Sequence, residues 1–339
     1  PASSPARRAT TSALGSNASQ TGGATASSVS VASVNAIRMP SGVAAVTAAG
    51  AGLKAIEQIT GEFTKLRTEA TALTGATGEA LDRLVVGVKT TADVFGTDLT
   101  DTLRATNALA KGFNLTLDES QTLIEKFQLS GGLITDDSIK QVEEYSSVLG
   151  DANIKAEDLL TVIALAAKGG QFNDFGIDAF KEFTIRLNTD GKKVAAALKE
   201  LERNVGGTFA NKIVNDFETG KATVAETLQA ITNELEKLPP KSQPVKKALS
   251  EIFGSKGEDV SAEFLISLGN ANNGLDAITD KTNIYYQAQL RQLQLDKDLN
   301  TAKNELTKRF EGLIAQSTNL TTQVQTGLIK ALSYLYDTF

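Results

Sequence analysis

Histidine, cysteine and tryptophan are absent from the 339 residues, and methionine occurs once. Without His or Cys there is no Ser-His-Asp or Cys-His nucleophile, no zinc site built on imidazole or thiolate, no haem or iron–sulfur ligation by those groups and no disulfide. A chain without thiols folds alike in oxidising and reducing surroundings, so its redox compartment stays open. Proline is missing between Val43 and Leu238, which leaves glycine as the punctuation of that stretch. Aromatic residues are 6% against 41% hydrophobic overall, so a core must be built from small and aliphatic side chains, the composition of helix packed on helix. Basic charge is scarce too: 34 Lys and Arg face 40 Asp and Glu, a net charge of −6, which argues against a chain made to coat nucleic acid, and no specific nucleic acid is expected as a partner. The longest weakly polar run, Val43 to Leu53, is rich in Ala and Gly and far short of the ~20 apolar residues of a membrane span.

What is present reads as an all-α chain: an array of short helices followed by long, heptad-patterned, coiled-coil-like helices, behind a disordered N-terminal arm. The length exceeds the ~100 to 200 residues of one domain, so more than one unit is expected. Three segments follow. Residues 1–40 form a flexible arm, because up to position 35 they are almost entirely Ala, Ser, Thr, Gly and Asn, too poor in bulk to offset the entropy of ordering. This arm is basic: Arg7, Arg8, Arg38 and then Lys54 precede the first acid, Glu57. Its Ser-rich, acid-free start also has the composition of an organellar transit peptide. A chain that starts at Pro1 is expected to be a piece of a longer one.

Residues 41–270 form the helical array. Thr116 followed by Glu119, and Thr223 followed by Glu226, have the spacing at which a hydroxyl and a carboxylate cap each other's backbone donors, and so open helices ending near Ser130 and at Leu238. Ala156 to Ala167 begins with acids and runs into Lys168-Gly169-Gly170, as the helix dipole and a left-handed glycine cap require. Asp178 to Leu187 puts Ala179, Phe180, Phe183 and Leu187 on one buried stripe. Residues 271–339 differ. Leu299, Leu306, Leu313 and Leu320 recur every seven residues, with Ile278 and Tyr285 in phase upstream and Phe310 and Val324 four residues beyond their leucines. Together these eight residues are the candidate helix-association seam, interrupted by Gln292 and Gly327 in phase and by Lys303 and Arg309 beside it. A self-contained antiparallel hairpin is the alternative use of the same pattern.

Sites for chemistry are sparse, and no catalytic, cofactor-binding or metal-ligating residue is assigned. Gly50-Ala51-Gly52-Leu53 superficially resembles a dinucleotide turn, but the stretch after it is helical in period and offers no second strand ending in an acid. Phosphate-loop, HExxH and EF-hand patterns are absent. Asp136-Asp137, Glu143-Glu144 and Glu258-Asp259 are the paired carboxylates; neighbours on a helix diverge by about 100°, so these read as solvated faces or helix starts rather than a glycosidase pair. Lys237 to Lys247, with its three prolines, reads as a linker with solvated lysines. Asn17, Asn114 and Asn319 begin glycosylation sequons that carry no meaning without a secretory context.

One series of motifs resembles the core region of bacteriophage tail tape measure proteins. It comprises Phe95-Gly96-Thr97, the run from Ala105 to Phe113 (ATNALAKGF), the Glu119 helix, Glu144-Tyr145-Ser146, Gly169-Gly170-Gln171-Phe172-Asn173, the run from Asp178 to Leu187 (DAFKEFTIRL), Thr219-Gly220-Lys221-Ala222 and the run from Phe253 to Asp259 (FGSKGED). The resemblance implies a non-enzymatic virion component of the tail tube lumen or tail tip, assembled in the host cytoplasm, that sets tube length and leaves at genome delivery. It also implies a homo-oligomer, a trimer being favoured, with tail tube protein, tail-tip proteins, assembly chaperones and a transient contact with the host envelope as partners. The hydrophobic stretches of full-length members have no counterpart here. The alternative is a compact α-helical tail-tip or hub adaptor.

Overall fold

The computed structural model describes residues 43–131, 135–170 and 174–316. The arm expected over 1–40, and Leu320 and Val324 of the heptad series, lie outside the described residues. Every regular element among the described residues is helical: α1 (Val43–Thr74), α2 (Gly78–Phe95), α3 (Leu99–Gly112), α4 (Leu117–Leu129), α5 (Asp136–Leu149), α6 (Ala156–Lys168), α7 (Phe175–Thr189), α8 (Gly191–Val205), α9 (Ala210–Glu218), α10 (Val224–Leu235), α11 (Gln243–Phe253), α12 (Ala262–Ser267), α13 (Gly274–Ile278) and α14 (Ile284–Gln316), with 3-10 turns at Gly254–Glu258 and Leu268–Asn273. The array of short helices leading to a long one is as the sequence predicts, and α1 adds a long helix of 32 residues at its head. The chain divides into the units Pro1–Ala51 and Gly52–Phe339; residues 43–51 of the first are helical, and everything below concerns the second.

Local chemistry accounts for the helix starts. Thr116 Oγ1 accepts the Glu119 amide at 3.2 Å while the Glu119 carboxylate accepts the Thr116 amide at 2.8 Å, and Thr223 with Glu226 repeats this pair with the same two distances. Asp98 caps α3 by accepting the amides of Thr100 and Asp101. Each arrangement satisfies donors that the first helical turn leaves orphaned, worth about 1 kcal/mol. Two expectations move. Of the prolyl stretch Lys237 to Lys247, residues 237–242 connect α10 to α11, but from Gln243 it is helix, with Pro244 in the first turn of α11, where its missing N–H costs nothing, and α10 ends at Leu235 instead of Leu238. The left-handed glycine expected after α6 is Gly170, at φ +71°. Gly50 to Leu53 lie inside α1, in helix rather than at a strand-to-helix turn.

Two apolar clusters organise the packing. The larger takes side chains from α3 through α13, from Ala105 to Leu275, including Phe180, Phe183 and Leu187 on the α7 stripe and Leu159, Leu160, Val162 and Ile163 of α6. The Phe183 and Phe253 rings meet with centroids 5.5 Å apart. Each such side chain withdrawn from water contributes about 1.5 to 3 kcal/mol, so this cluster dominates the stability of the region. The smaller joins α1, α2 and α3 through Phe63, Leu66, Ala70, Leu81, Leu84, Val85, Val88 and Leu103. Helix α14 lies on α2, with a lesser contact to α4.

Candidate functional site

Segments far apart in the chain converge within the larger cluster. Helix α5 brings Tyr145, α7 brings Asp178 and Lys181, and the turn after α11 brings Lys256. The Tyr145 hydroxyl donates to Asp178 Oδ1 at 2.8 Å, Lys256 Nζ donates to Asp178 Oδ2 at 3.0 Å, and Lys181 Nζ lies 3.1 Å from Oδ1 and 5.2 Å from the centre of the Tyr145 ring. Burial alone would raise the Asp178 carboxyl, but hydrogen bonds from Lys256, Tyr145 and Lys181 outweigh it and hold the group below the usual carboxylate value. Burial, then the hydrogen bond to Asp178, push the Tyr145 phenol well above its usual value, so it remains a donor at any physiological pH. One turn along α7, Arg186 donates to Glu182 at 2.8 Å and to the Glu251 carbonyl at 3.3 Å. Its guanidinium covers Gly254, which sits at φ +62° and where a side chain would both strain the backbone and overlap Arg186.

The α3–α5 crossing is built on missing side chains. A methyl group on Gly112 would overlap the Ser146 carbonyl, and one on Gly150 would overlap the Gly112 carbonyl, so the two backbones approach as only glycine allows. Apart from Gly150 and Glu251, these residues belong to the motif segments Ala105 to Phe113, Glu144 to Ser146, Asp178 to Leu187 and Phe253 to Asp259; their shared task in the fold is to lock helices to one another.

The candidate seam is spread over two elements. Ile278 ends α13 and packs against the larger cluster, while Tyr285 begins α14 beyond residues 279–283 and is 74% exposed. Leu299 is 37% exposed, Leu306 is fully buried and Phe310 is half-buried. Leu313 lies on α14. The seam residues therefore do not share one environment. What the heptad reading missed is the neighbouring face of α14: Asn300, Asn304 and Thr307 are buried, at spacings of four and three; Asn300 and Asn304 reach polar groups of α1 and α2, and Thr307 donates to the Lys303 carbonyl of α14 itself. Asp158 was also passed over. It is buried at the third position of α6, accepts the Lys155 amide at 3.1 Å, and burial pushes its carboxyl up to about 6.

Of the paired carboxylates, Asp136 and Asp137 form the first turn of α5, where Asp136 accepts the Asp98 amide, and Glu258 accepts the Ser250 hydroxyl. Among the described residues no group of three or more acidic side chains is placed to hold a metal ion, and no helix is long and apolar enough to cross a membrane.

A family model described as phage-related minor tail protein matches residues 60–254, more than half of the chain. No curated protein and no solved structure matches the chain.

Proposed function

We propose, on the premise that this chain belongs to the phage-related minor tail protein family and is a structural component of the virion tail, that its particular role is that of a tape measure, acting without catalysis. The observation that carries this reading is the ordered series of motifs from Phe95 to Asp259, nearly all of it inside the matched residues 60–254. In this reading the chain lies in the lumen of the growing tube, sets its length while tube protein polymerises around it, and leaves ahead of the genome. Exposed seam residues of α14 such as Tyr285 and Leu299 are available for association between copies. Tube protein, tip proteins and assembly chaperones are the further partners, with a transient contact at the host envelope. A helix advances about 1.5 Å per residue, so a fixed residue count is a fixed length only when the helices lie end to end.

That condition favours a second reading on a specific observation. Helices α3 to α13 share one apolar cluster and are folded on one another, as a compact tail-tip or hub adaptor would be. One experiment separates the two: electron microscopy of tails assembled by a phage whose protein carries an in-frame deletion of Ala156 to Leu238. Shortening by about 1.5 Å per deleted residue, about 125 Å in all, supports the tape measure. Tails of unchanged length contradict it and favour the adaptor.

A further inference from the structure

Helix α14 is seated on its neighbours by its polar face. Asp82 of α2 is the centre of the seat: it accepts Lys308 Nζ of α14 at 2.7 Å, Asn304 Nδ2 of α14 at 3.3 Å and the Arg67 guanidinium of α1, which also donates to Asn304 Oδ1 at 3.0 Å. A turn away, Asn300 Nδ2 lies 3.2 Å from both Thr90 Oγ1 and Asp93 Oδ2 of α2, and Asp93 is held by Lys89. Thr64 of α1 donates to Glu311 at the far end. The fully buried side chains along this face are Asn300, Asn304 and Thr307, and among the described side chains of α14 the buried apolar ones are Leu293 and Leu306. Meanwhile Ile284, Tyr285, Leu290, Leu295 and Leu299 are exposed. Over Asn300 to Thr307 this inverts the usual assignment for an amphipathic helix, polar side chains being buried there beside Leu306 while Leu295 and Leu299 are exposed.

From this inversion we infer that α14 is a latch: a helix that opens as a unit, before the apolar array beneath it, by exchanging its buried hydrogen bonds for water. A polar seat gives back in hydration most of what it loses on opening, since net gains per hydrogen bond are small and paired charges recover their solvation. Opening the larger cluster has little such return, because its buried side chains are mostly apolar, with Asp158 and the Tyr145–Asp178 pair as polar inclusions. The hinge is also in place. Lys126 binds Asp276 at 3.1 Å and Glu157 at 2.6 Å, and Lys168 donates to the Ile278 carbonyl, so α13 stays fastened to the array, while residues 279–283 are bonded among themselves and to the helix ends beside them, by Thr282 on Asp280 and by Lys281 on Asp276. Once open, α14 carries Leu295, Leu299 and Leu306 at spacings of four and seven on one face, ready for another helix. None of this depends on the tape measure reading; an adaptor would carry the same latch.

Native-state hydrogen exchange with peptide-level mass spectrometry on the whole chain tests it. Peptides within 290–312 exchange at least about a hundredfold faster than those of α6, as a local opening does relative to a global one. Asp82→Asn, which keeps the shape but removes the charge, raises the α14 rates about tenfold further, the equivalent of one charge-assisted hydrogen bond, and leaves α6 unchanged. Lys308→Met, on the half-exposed side of the seat, moves the rates in the same direction and serves if Asp82→Asn does not fold. Exchange of α14 and α6 at a common rate, or equal acceleration of both by either variant, overturns the inference.

Discussion

The helical array α3 to α13 and the layer formed by α1, α2 and α14 use opposite chemistry to solve the same packing problem. In the array the buried stripe of α6 is Leu159, Leu160, Val162 and Ile163, and the polar node at Tyr145 and Asp178 is a minor inclusion. In the layer, α1 and α2 keep an apolar seam of their own, but α14 joins them through Asn300, Asn304 and the Asp82 cluster. The difference teaches that helix length is no guide to how firmly a helix is held: the 33 residues of α14 are held by a few hydrogen bonds and ion pairs beside buried Leu293 and Leu306, whereas the 13 residues of α6 are buried nearly throughout.

The largest expected effect breaks the array. Phe183→Ala, at a fully buried ring against Phe253, lowers global stability by about 3 to 5 kcal/mol, read as a shift of the urea midpoint at constant slope.

Next comes a pH effect of opposite sign to ordinary acid denaturation. The folded-state Asp158 carboxyl is raised from 3.8 to about 6, so the folded chain binds the extra proton and gains stability as pH falls through 6 toward 4, up to roughly 3 kcal/mol. Asp82 and Asp178 are lowered, so their contribution, present at neutral pH, is lost only below about 4. Urea midpoints should therefore be higher at pH 5 than at pH 7, and Asp158→Asn should abolish that rise.

A third change sharpens the contrast between regions. Leu306→Ala, fully buried in the layer, costs about 2 to 3 kcal/mol, but the loss registers in the local exchange of α14 and leaves the array's midpoint nearly unchanged. The smallest effect is at a helix end: Thr223→Ala removes the acceptor of the Glu226 amide and costs about 1 kcal/mol in the thermal or urea midpoint.

How far the sequence reaches follows the same division. The capping boxes at Thr116 and Thr223 and the stripe Ala179, Phe180, Phe183 and Leu187 were legible because each depends on residues close in the chain. The α14 seat was not, since Asn300, Asn304 and Thr307 have the pattern of a solvated face until Arg67 and Asp82 are brought to Asn304, and Thr90 and Asp93 to Asn300, from more than 200 residues away. The fitting of Gly112 to Gly150 was hidden for a similar reason: a glycine required by another helix's backbone looks the same in sequence as a glycine that ends its own. Pro244 misled because prolines in a lysine-rich stretch suit a linker and a helix's first turn equally well.

The account's central claim is that the polar-seated helix yields before the apolar array, and mechanical unfolding tests it most directly. A chain with no native thiol takes unique handles at Asn211→Cys on α9 and Gly312→Cys on α14, both at exposed positions. Pulling between them should give a first event at low force that lengthens the tether by about 100 Å as α14 peels away and unravels, followed at higher force by the array. A single event releasing α14 and the array together would contradict the account.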